Sequence, residues 1–160
     1  MSQSANPPKT LLIVDDDWRL ARMLGWSFDD LGNITRTAGS VAEATEVLGS
    51  LHFDSALFDL GLPDGSGAEL GMRLLEDQPQ SRVALISADR AAVETTASEL
   101  AESFDHRWAG RIQGHGKPLR PGRLHRWFRA DAPPAGRHPG QRRGDRAHSA
   151  EDIADAGGTA

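Results

Sequence analysis

Short, almost entirely apolar runs alternate with amphipathic stretches along most of this chain. Three of these runs, residues 11–14, 56–58 and 83–86, are each followed directly by polar residues. Runs of this length and composition are typical of strands that helices cover on both faces. Apolar residues at helical spacing fill the segments between them. The alternation occurs four times and predicts an α/β fold with a doubly wound parallel sheet, because parallel neighbours are joined by helical crossovers.

The fifth repeat of this alternation is weaker than the first four. Residues 111–116 contain one large apolar residue, Ile112, and predict an edge strand or an irregular loop. A helix follows, with Leu124 and Trp127 on its inner face and arginines on its outer face. Residues 106–146 carry 11 basic and 2 acidic side chains. This charge favours an exposed helix face followed by a basic tail, with a docking surface for an acidic partner or nucleic acid as the alternative.

The length and composition of the chain limit what it can be. Its 160 residues have room for one domain with a hydrophobic core, plus a tail. The absence of cysteine excludes disulfides, thiolate metal sites and a cysteine nucleophile, and suits the reducing cytoplasm. The first apolar run is too short for a signal peptide or a membrane span. We expect a cytoplasmic protein with a disordered N-terminus (1–8), one domain (9–130) and a disordered tail (131–160).

Side chains capable of chemistry follow the predicted strands at their carboxyl ends. They are Asp15, Asp16 and Asp17 after the first strand, Asp59 after the third, Ser87 after the fourth and Lys117 after the fifth. The carboxyl ends of parallel strands meet at one edge of a sheet, where ligands bind. We therefore expect these side chains to lie close together.

The clustered carboxylates favour a particular chemistry. Two carboxylates about 4 Å apart repel by roughly 4 kcal/mol at an effective dielectric constant of about 20. The cluster therefore indicates a nearby cation, a cationic side chain or a carboxyl group with a raised pKa. Asp17 alone has a simpler interpretation, as the N-cap of the next helix. Phosphoryl transfer to a carboxylate needs such a set, because Mg²⁺ offsets the repulsion while a hydroxyl and an ammonium group hold the phosphoryl oxygens.

Four motifs in order give the chain a family resemblance. They are Ile-Val-Asp-Asp at 13–16, Leu-Phe-Asp-Leu-Gly-Leu-Pro-Asp-Gly at 57–65, Leu-Ile-Ser-Ala at 85–88 and Lys-Pro-Leu at 117–119. With these motifs the chain resembles a response-regulator receiver domain of bacterial two-component signalling, over about residues 9–130. The resemblance implies a five-stranded parallel sheet of flavodoxin-like order 2-1-3-4-5 with five helices.

The resemblance also implies roles for individual residues. Asp59 corresponds to the phosphoacceptor, Asp16 to the direct Mg²⁺ ligand and Asp15 to its partner through water, and Gly61 would offer its backbone carbonyl to the metal. Ser87 corresponds to the hydroxyl that follows the phosphoryl group, with Ala88 as its small neighbour. Lys117 corresponds to the phosphate-binding lysine, and Pro118 would follow a cis peptide bond.

One position departs from the family pattern. Receiver domains usually carry Tyr or Phe three residues before the lysine, where the side chain couples phosphorylation to the face formed by the fourth helix and fifth strand. This chain has Gly114 there and contains no tyrosine. His115 cannot replace the aromatic residue without a register shift, because neighbouring strand residues point to opposite faces. We expect His115 to be an exposed edge-strand histidine.

The predicted function is that of a phosphoacceptor signalling protein, not an enzyme. It would take a phosphoryl group from a sensor histidine kinase or histidine phosphotransfer protein and act through contacts with another protein, since no DNA-binding domain fits after residue 130. One alternative is a phosphorylation-independent binding module with the same fold. Another is a haloacid-dehalogenase-like phosphatase, which Arg19 disfavours because that family has Thr or Val at the corresponding position.

Overall fold

A computed structural model describes residues 7–103 and 110–130 of the chain. Five parallel strands form its main sheet: β1 (Thr10–Val14), β2 (Ile34–Ala38), β3 (Ser55–Asp59), β6 (Arg82–Ser87) and β7 (Ile112–Gly116). Two short strands after β3, β4 (Gly61–Leu62) and β5 (Gly65–Ser66), form a small antiparallel hairpin. The order in the main sheet is β2-β1-β3-β6-β7. Numbered within this sheet alone, the order is 2-1-3-4-5, as predicted.

Five helices cover the two faces of the sheet. They are α1 (Trp18–Asp29), α2 (Val41–Ser50), α3 (Gly67–Asp77), α4 (Arg90–Ser103) and α5 (Pro121–Arg129). The predicted fold class is therefore confirmed. The weak fifth segment, β7, is an edge strand that pairs in parallel with β6.

The core has two layers, one on each face of the sheet. Alternate residues of a strand point to opposite faces, so Leu12 packs with α2, α3 and α4 while Ile13 packs with α1 and α5. Residues 11–14 and 56–58 are all fully buried. Their unbroken apolar character is explained by this cover on both faces.

Several side chains lie elsewhere than the sequence pattern predicts. Trp18, a large apolar residue that begins α1, is 62% exposed beside the Arg19 guanidinium. His115 is only 7% exposed. The prediction of an exposed histidine is wrong because α5 covers that face of β7, and the Trp127 ring packs against the imidazole. Asp17 does cap α1, accepting hydrogen bonds from two backbone N–H groups.

Arg82 is a buried charge that sequence reasoning missed. Its Nη1 donates to the carbonyl oxygens of Trp127 and Ala130, the latter at 2.9 Å, and its guanidinium lies 4.5 Å from the Trp127 ring centre. Burial and the nearby charge of Arg111 lower the pKa of Arg82. A cation at the C-terminal end of a helix is stabilised by the helix dipole, so Arg82 fastens α5 to the sheet.

Two sequence predictions fall outside the described residues. These are the disordered tail 131–160 and the disordered N-terminus, of which only residues 7 and 8 are described. Within the described ranges, the helices are too short or too polar to cross a membrane.

Candidate functional site

Three carboxylates meet at the carboxyl edge of the sheet. One oxygen from each of Asp15, Asp16 and Asp59 lies within 4.8 Å of the others. Asp59 ends β3, and Asp15 follows β1 with its N–H bonded to the Ala38 carbonyl oxygen at 3.1 Å. Asp15 and Asp59 are buried, whereas Asp16 is exposed. The backbone of two central strands therefore fixes the positions of two of the three carboxylates.

Lys117 joins this cluster from the end of β7. Its Nζ lies 2.8 Å from Asp15 Oδ2 and 2.9 Å from Asp59 Oδ2. The Lys117 N–H donates to the Ser87 carbonyl oxygen at 2.7 Å, which holds the lysine backbone against β6. The Lys117–Pro118 peptide is cis, as the resemblance implies.

Burial and charge act against each other on these groups. Burial raises the pKa of Asp15, and the Asp59 charge adds to this, while the hydrogen bond from Lys117 opposes it. Burial alone would lower the pKa of Lys117, but its hydrogen bonds to Asp15 and Asp59 and the negative charges of these two groups together raise it. The ammonium group therefore stays charged between the two carboxylates.

The donor set fits a divalent cation. Three carboxylates and one ammonium group leave two formal negative charges at the cluster when all are ionised. Carboxylate oxygens are hard ligands of the kind that Mg²⁺ and Ca²⁺ prefer. Asp15 Oδ1 already accepts the Asp17 N–H at 2.9 Å, so its carboxylate is oriented before any ion binds. These residues can hold a divalent metal.

Backbone and side-chain contacts also orient Asp59 itself. The Gly61 N–H donates to Asp59 Oδ1 at 3.1 Å, while Lys117 engages Oδ2. Ser87 lies on the adjacent strand, one residue beyond the partner of Asp59 in the β3–β6 register. Its Oγ accepts the Asp89 N–H at 3.1 Å, just before α4 begins. The structure thus gathers Asp15, Asp16, Asp59 and Lys117 directly and places Ser87 at the neighbouring strand end.

Two residues between Asp59 and the first turn of α3 support the site through contacts that the sequence pattern does not predict. A Cβ at Gly67 would collide with the Asp59 carbonyl oxygen, so only glycine lets α3 begin so close to β3. Asp64 accepts N–H bonds at 2.7 and 3.0 Å from Val41 and Ala42. These bonds lower the pKa of Asp64 and tie the loop to the start of α2. The turn-rich sequence around them was the available signal, but the contacts are long-range.

The aromatic position of the family pattern is filled here by main chain. A Cβ at Gly114 would lie 2.6 Å from the Val93 carbonyl oxygen and 3.0 Å from the Glu94 nitrogen. Gly116 faces the same helix, where a Cβ would lie 2.9 Å from the Arg90 side chain. The two glycines therefore let α4 pack directly on β7. We call this contact the α4–β7 edge.

The fold and the acidic cluster formed by Asp15, Asp16 and Asp59 agree with a comparison to known protein families. Residues 11–105, more than half of the chain, match the family model of the response regulator receiver domain. The chain belongs to this family, whose members are signalling proteins of two-component systems.

Curated relatives and solved structures agree with this assignment. The chain is 38% identical to the response regulator protein PilR of Pseudomonas aeruginosa over 95 residues, covering 59% of this chain and 21% of PilR. It is 36% identical to the transcriptional regulatory protein PmrA of Pectobacterium parmentieri over 95 residues, covering 59% of this chain and 42% of PmrA. The chain thus spans less than half the length of these two relatives, and their activities as whole proteins do not transfer to it by similarity alone.

Two solved structures share the fold. A CheY-like receiver domain protein from Methanospirillum hungatei has a TM-score of 0.62 at 25% identity, covering 74% of this chain and 89% of that one. A response regulator from Burkholderia pseudomallei was solved with a phosphorylated aspartic acid, calcium ion and citrate. It has a TM-score of 0.64 at 24% identity, covering 78% of this chain and 68% of that one.

Proposed function

We propose that this chain accepts a phosphoryl group on Asp59, in the cytoplasm, from the phosphohistidine of a sensor kinase or phosphotransfer protein, and signals through protein contacts. One observation carries the proposal. The Asp59 carboxylate is held at a strand end between the Gly61 N–H and the Lys117 ammonium group, with Asp15 and Asp16 beside it. The proposed domain spans residues 9–130, past the family match, because Trp127 and the rest of the inner face of α5 are buried in the core.

The proposed transfer has a simple balance of bonds. An oxygen of Asp59 forms a bond to phosphorus as the phosphorus–nitrogen bond of the donor breaks. The electron pair of the broken bond stays on the ring nitrogen, and a proton on the other nitrogen makes the leaving group a neutral imidazole. Later attack by water on phosphorus releases inorganic phosphate and restores the carboxylate.

The residues around Asp59 have separate tasks in this proposal. Mg²⁺, held by Asp15, Asp16, Asp59 and the Gly61 carbonyl, would supply positive charge that offsets repulsion between the carboxylates and the incoming phosphoryl group. Lys117 would hold one phosphoryl oxygen through a charge-assisted hydrogen bond. The Ser87 hydroxyl, one residue past the strand partner of Asp59, would donate to another.

The test uses a small phosphodonor, so that no kinase has to be identified. The full chain is incubated with Mg²⁺ and acetyl phosphate, and its intact mass is followed over time. We expect one phosphoryl group per chain, dependent on Mg²⁺ and absent from Asp59→Asn. Asp77→Asn is the matched control, because Asp77 is an exposed carboxylate on α3, outside the acidic cluster. An adduct that persists in Asp59→Asn, or no adduct in the parent chain, contradicts the proposal.

The α4–β7 edge favours a second candidate, a receiver fold that binds its partner without phosphorylation. Main chain of α4 occupies the space at Gly114 where the family usually has an aromatic side chain. In this case Asp59→Asn would leave partner binding unchanged while it removes the adduct. Under the first proposal, partner affinity differs between the phosphorylated parent chain and Asp59→Asn.

A further inference from the structure

A small basic cavity lies beside the α4–β7 edge, at the start of α5. Its volume is about 70 Å³, and its lining includes Arg90, His115, Arg120 and Arg123. We call these four residues and the cavity between them the arginine pocket. The share of liquid volume of one water is about 30 Å³, so the cavity has the size of a small polar group and not of a nucleotide.

The packing of α4 on β7 brings Arg90 into this pocket. The Arg90 side chain lies directly over Gly116, where a Cβ would be only 2.9 Å away. Its Nε donates to Glu94 Oε1 at 2.9 Å, and its side chain stays 67% exposed. The guanidinium carries further N–H donors besides the one that Glu94 accepts. Arg90 therefore brings N–H donors from α4 to the pocket, while Glu94 balances its charge.

The start of α5 adds positive potential to the same place. Arg120 is the N-cap residue but makes no side-chain capping bond, and Pro121 follows at the first helical position. Arg120 and Arg123 are both exposed. The N-terminal end of a helix carries partial positive charge and favours anions. The first turn of α5 contains no acidic residue, so nothing in that turn balances the charge of these two arginines.

His115 provides a separate, buried indication of a ligand. It is more than nine-tenths buried, and its Nε2 has no hydrogen-bond partner among the described residues. Burial and the Arg123 charge lower its pKa, so the ring is neutral at physiological pH. A buried polar nitrogen without a partner is uncommon and costs stability. In the tautomer that carries its proton on Nε2, the ring can donate to a bound acceptor.

We propose that the arginine pocket binds a small oxyanion, either free phosphate or the carboxylate of an acidic side chain on a partner. Arg120 and Arg123 bind the anion through charge-assisted hydrogen bonds, and Arg90 offers further N–H donors. The pocket lies on a different set of side chains from the acidic cluster. Binding therefore needs neither Mg²⁺ nor the carboxylate of Asp59.

The direct test is a titration followed by NMR. The ¹⁵N-labelled full chain is titrated with inorganic phosphate at constant ionic strength and without Mg²⁺, and the amide signals of Gly116 and Arg123 and the ring signals of His115 are recorded. We expect saturable shifts at these residues. Arg120→Gln with Arg123→Gln should weaken the apparent affinity at least about tenfold, the effect of losing one charge-assisted hydrogen bond.

The same helix offers a matched control. Arg126→Gln with Arg129→Gln removes the same charge from exposed positions of α5 outside the pocket lining. This pair should leave the affinity within about twofold, because charges that do not touch the anion act on it only through screened, long-range attraction. Asp59→Asn should bind phosphate as the parent chain does. Equal weakening in both arginine pairs, loss of binding in Asp59→Asn, or shifts that do not saturate would overturn the proposal.

A second titration separates the two sources of oxyanion. A short glutamate-rich peptide is added in place of phosphate, and then together with it. Saturable shifts at the same residues, with competition between peptide and phosphate, identify the carboxylate of an acidic partner as a ligand. Phosphate binding that the peptide does not compete with identifies free phosphate.

Discussion

The acidic cluster and the α4–β7 edge belong to the same sheet but are built by different means. In the cluster, side chains make the contacts, with Lys117 between Asp15 and Asp59. At the edge, main chain makes them, because Gly114 leaves room for the Val93 carbonyl and no more. A side chain in the cluster can be exchanged without moving the backbone, whereas adding one at the edge displaces a helix. We therefore expect the two regions to respond very differently to single substitutions.

The largest effect should come from placing the family's aromatic residue at the edge. Gly114→Tyr forces a side chain into the α4 backbone and should cost about 3 kcal/mol or more of unfolding free energy, at or above the upper end for overpacked cores. Chemical denaturation measures it.

Gly49→Ala is the matched control for this substitution. A Cβ at Gly49 meets nothing within 4 Å, and Gly49 lies inside α2, so alanine should stabilise the chain by about 0.5–1 kcal/mol. A Gly114→Tyr protein as stable as its parent would show that the edge can open, and the contrast between the two regions would then fail.

A smaller effect is expected from metal binding at the cluster. A ligand at ten times its dissociation constant stabilises the folded state by about 1.4 kcal/mol, so Mg²⁺ should raise the thermal midpoint of the parent chain. Asp16→Asn should remove most of this increase without changing the metal-free stability, because Asp16 is exposed. Thermal unfolding with and without Mg²⁺ measures both values. An undiminished increase in Asp16→Asn would exclude Asp16 as a ligand.

Ser87 lies at the end of β6, between the two regions. Replacing it with alanine should lower the free energy of unfolding by about 1 kcal/mol. Ser87→Ala loses the hydrogen bond that its Oγ accepts from the Asp89 N–H, at the start of α4. In addition, the variant should lower the rate of Asp59 phosphorylation, since the proposed donor to a phosphoryl oxygen is absent. Denaturation and the mass assay test these separately. A loss of stability with an unchanged rate would restrict Ser87 to a structural role.

The smallest expected effect is the contribution of the buried His115 to the pH dependence of the stability of the chain. The pKa of His115 is lowered by burial and by the Arg123 charge, so the unfolded chain binds a proton near its ordinary pKa of about 6.5 while the folded chain does not. Stability from this group is therefore present above about pH 6.5 and falls as the pH is lowered toward the folded pKa. The slope is below about 1.4 kcal/mol per pH unit, the limit for one proton.

Comparing variants isolates this slope. His115→Gln should flatten the dependence between pH 7 and 5, whereas His52→Gln, at an exposed position, should not. Denaturation at a series of pH values measures it. Parallel curves for the parent chain and His115→Gln would contradict the assignment.

Local patterns were sufficient to predict most of the fold. Unbroken apolar runs such as residues 11–14 appear because strands in this sheet are covered on both faces. The polar residues at the strand ends then predicted that Asp15, Asp59 and Lys117 would meet, and the structure brings them within ion-pair distance. The chemical roles assigned to them stay predictions.

The remaining features depend on contacts between distant segments. His115 was predicted to be exposed because its strand is an edge strand, but α5 covers that face. An arginine such as Arg82 is expected on the surface, yet it donates to carbonyl groups more than forty positions away in the chain. Gly114 was recognised as a missing aromatic residue, but only the structure shows that the α4 backbone takes its place. Such packing leaves no local periodicity in the sequence.

From the contrast between the two regions we expect that Asp59 can be phosphorylated while the α4–β7 edge stays closed. Amide hydrogen exchange measured with Mg²⁺ and acetyl phosphate, and again without the phosphodonor, tests this most directly, with Asp59→Asn as the control. The account predicts changed protection around Asp59, Ser87 and Lys117 and unchanged protection of Glu94 and Gly114. Faster exchange across α4 and β7 on phosphorylation, absent from Asp59→Asn, would show that the edge opens with the chemistry and would contradict the account.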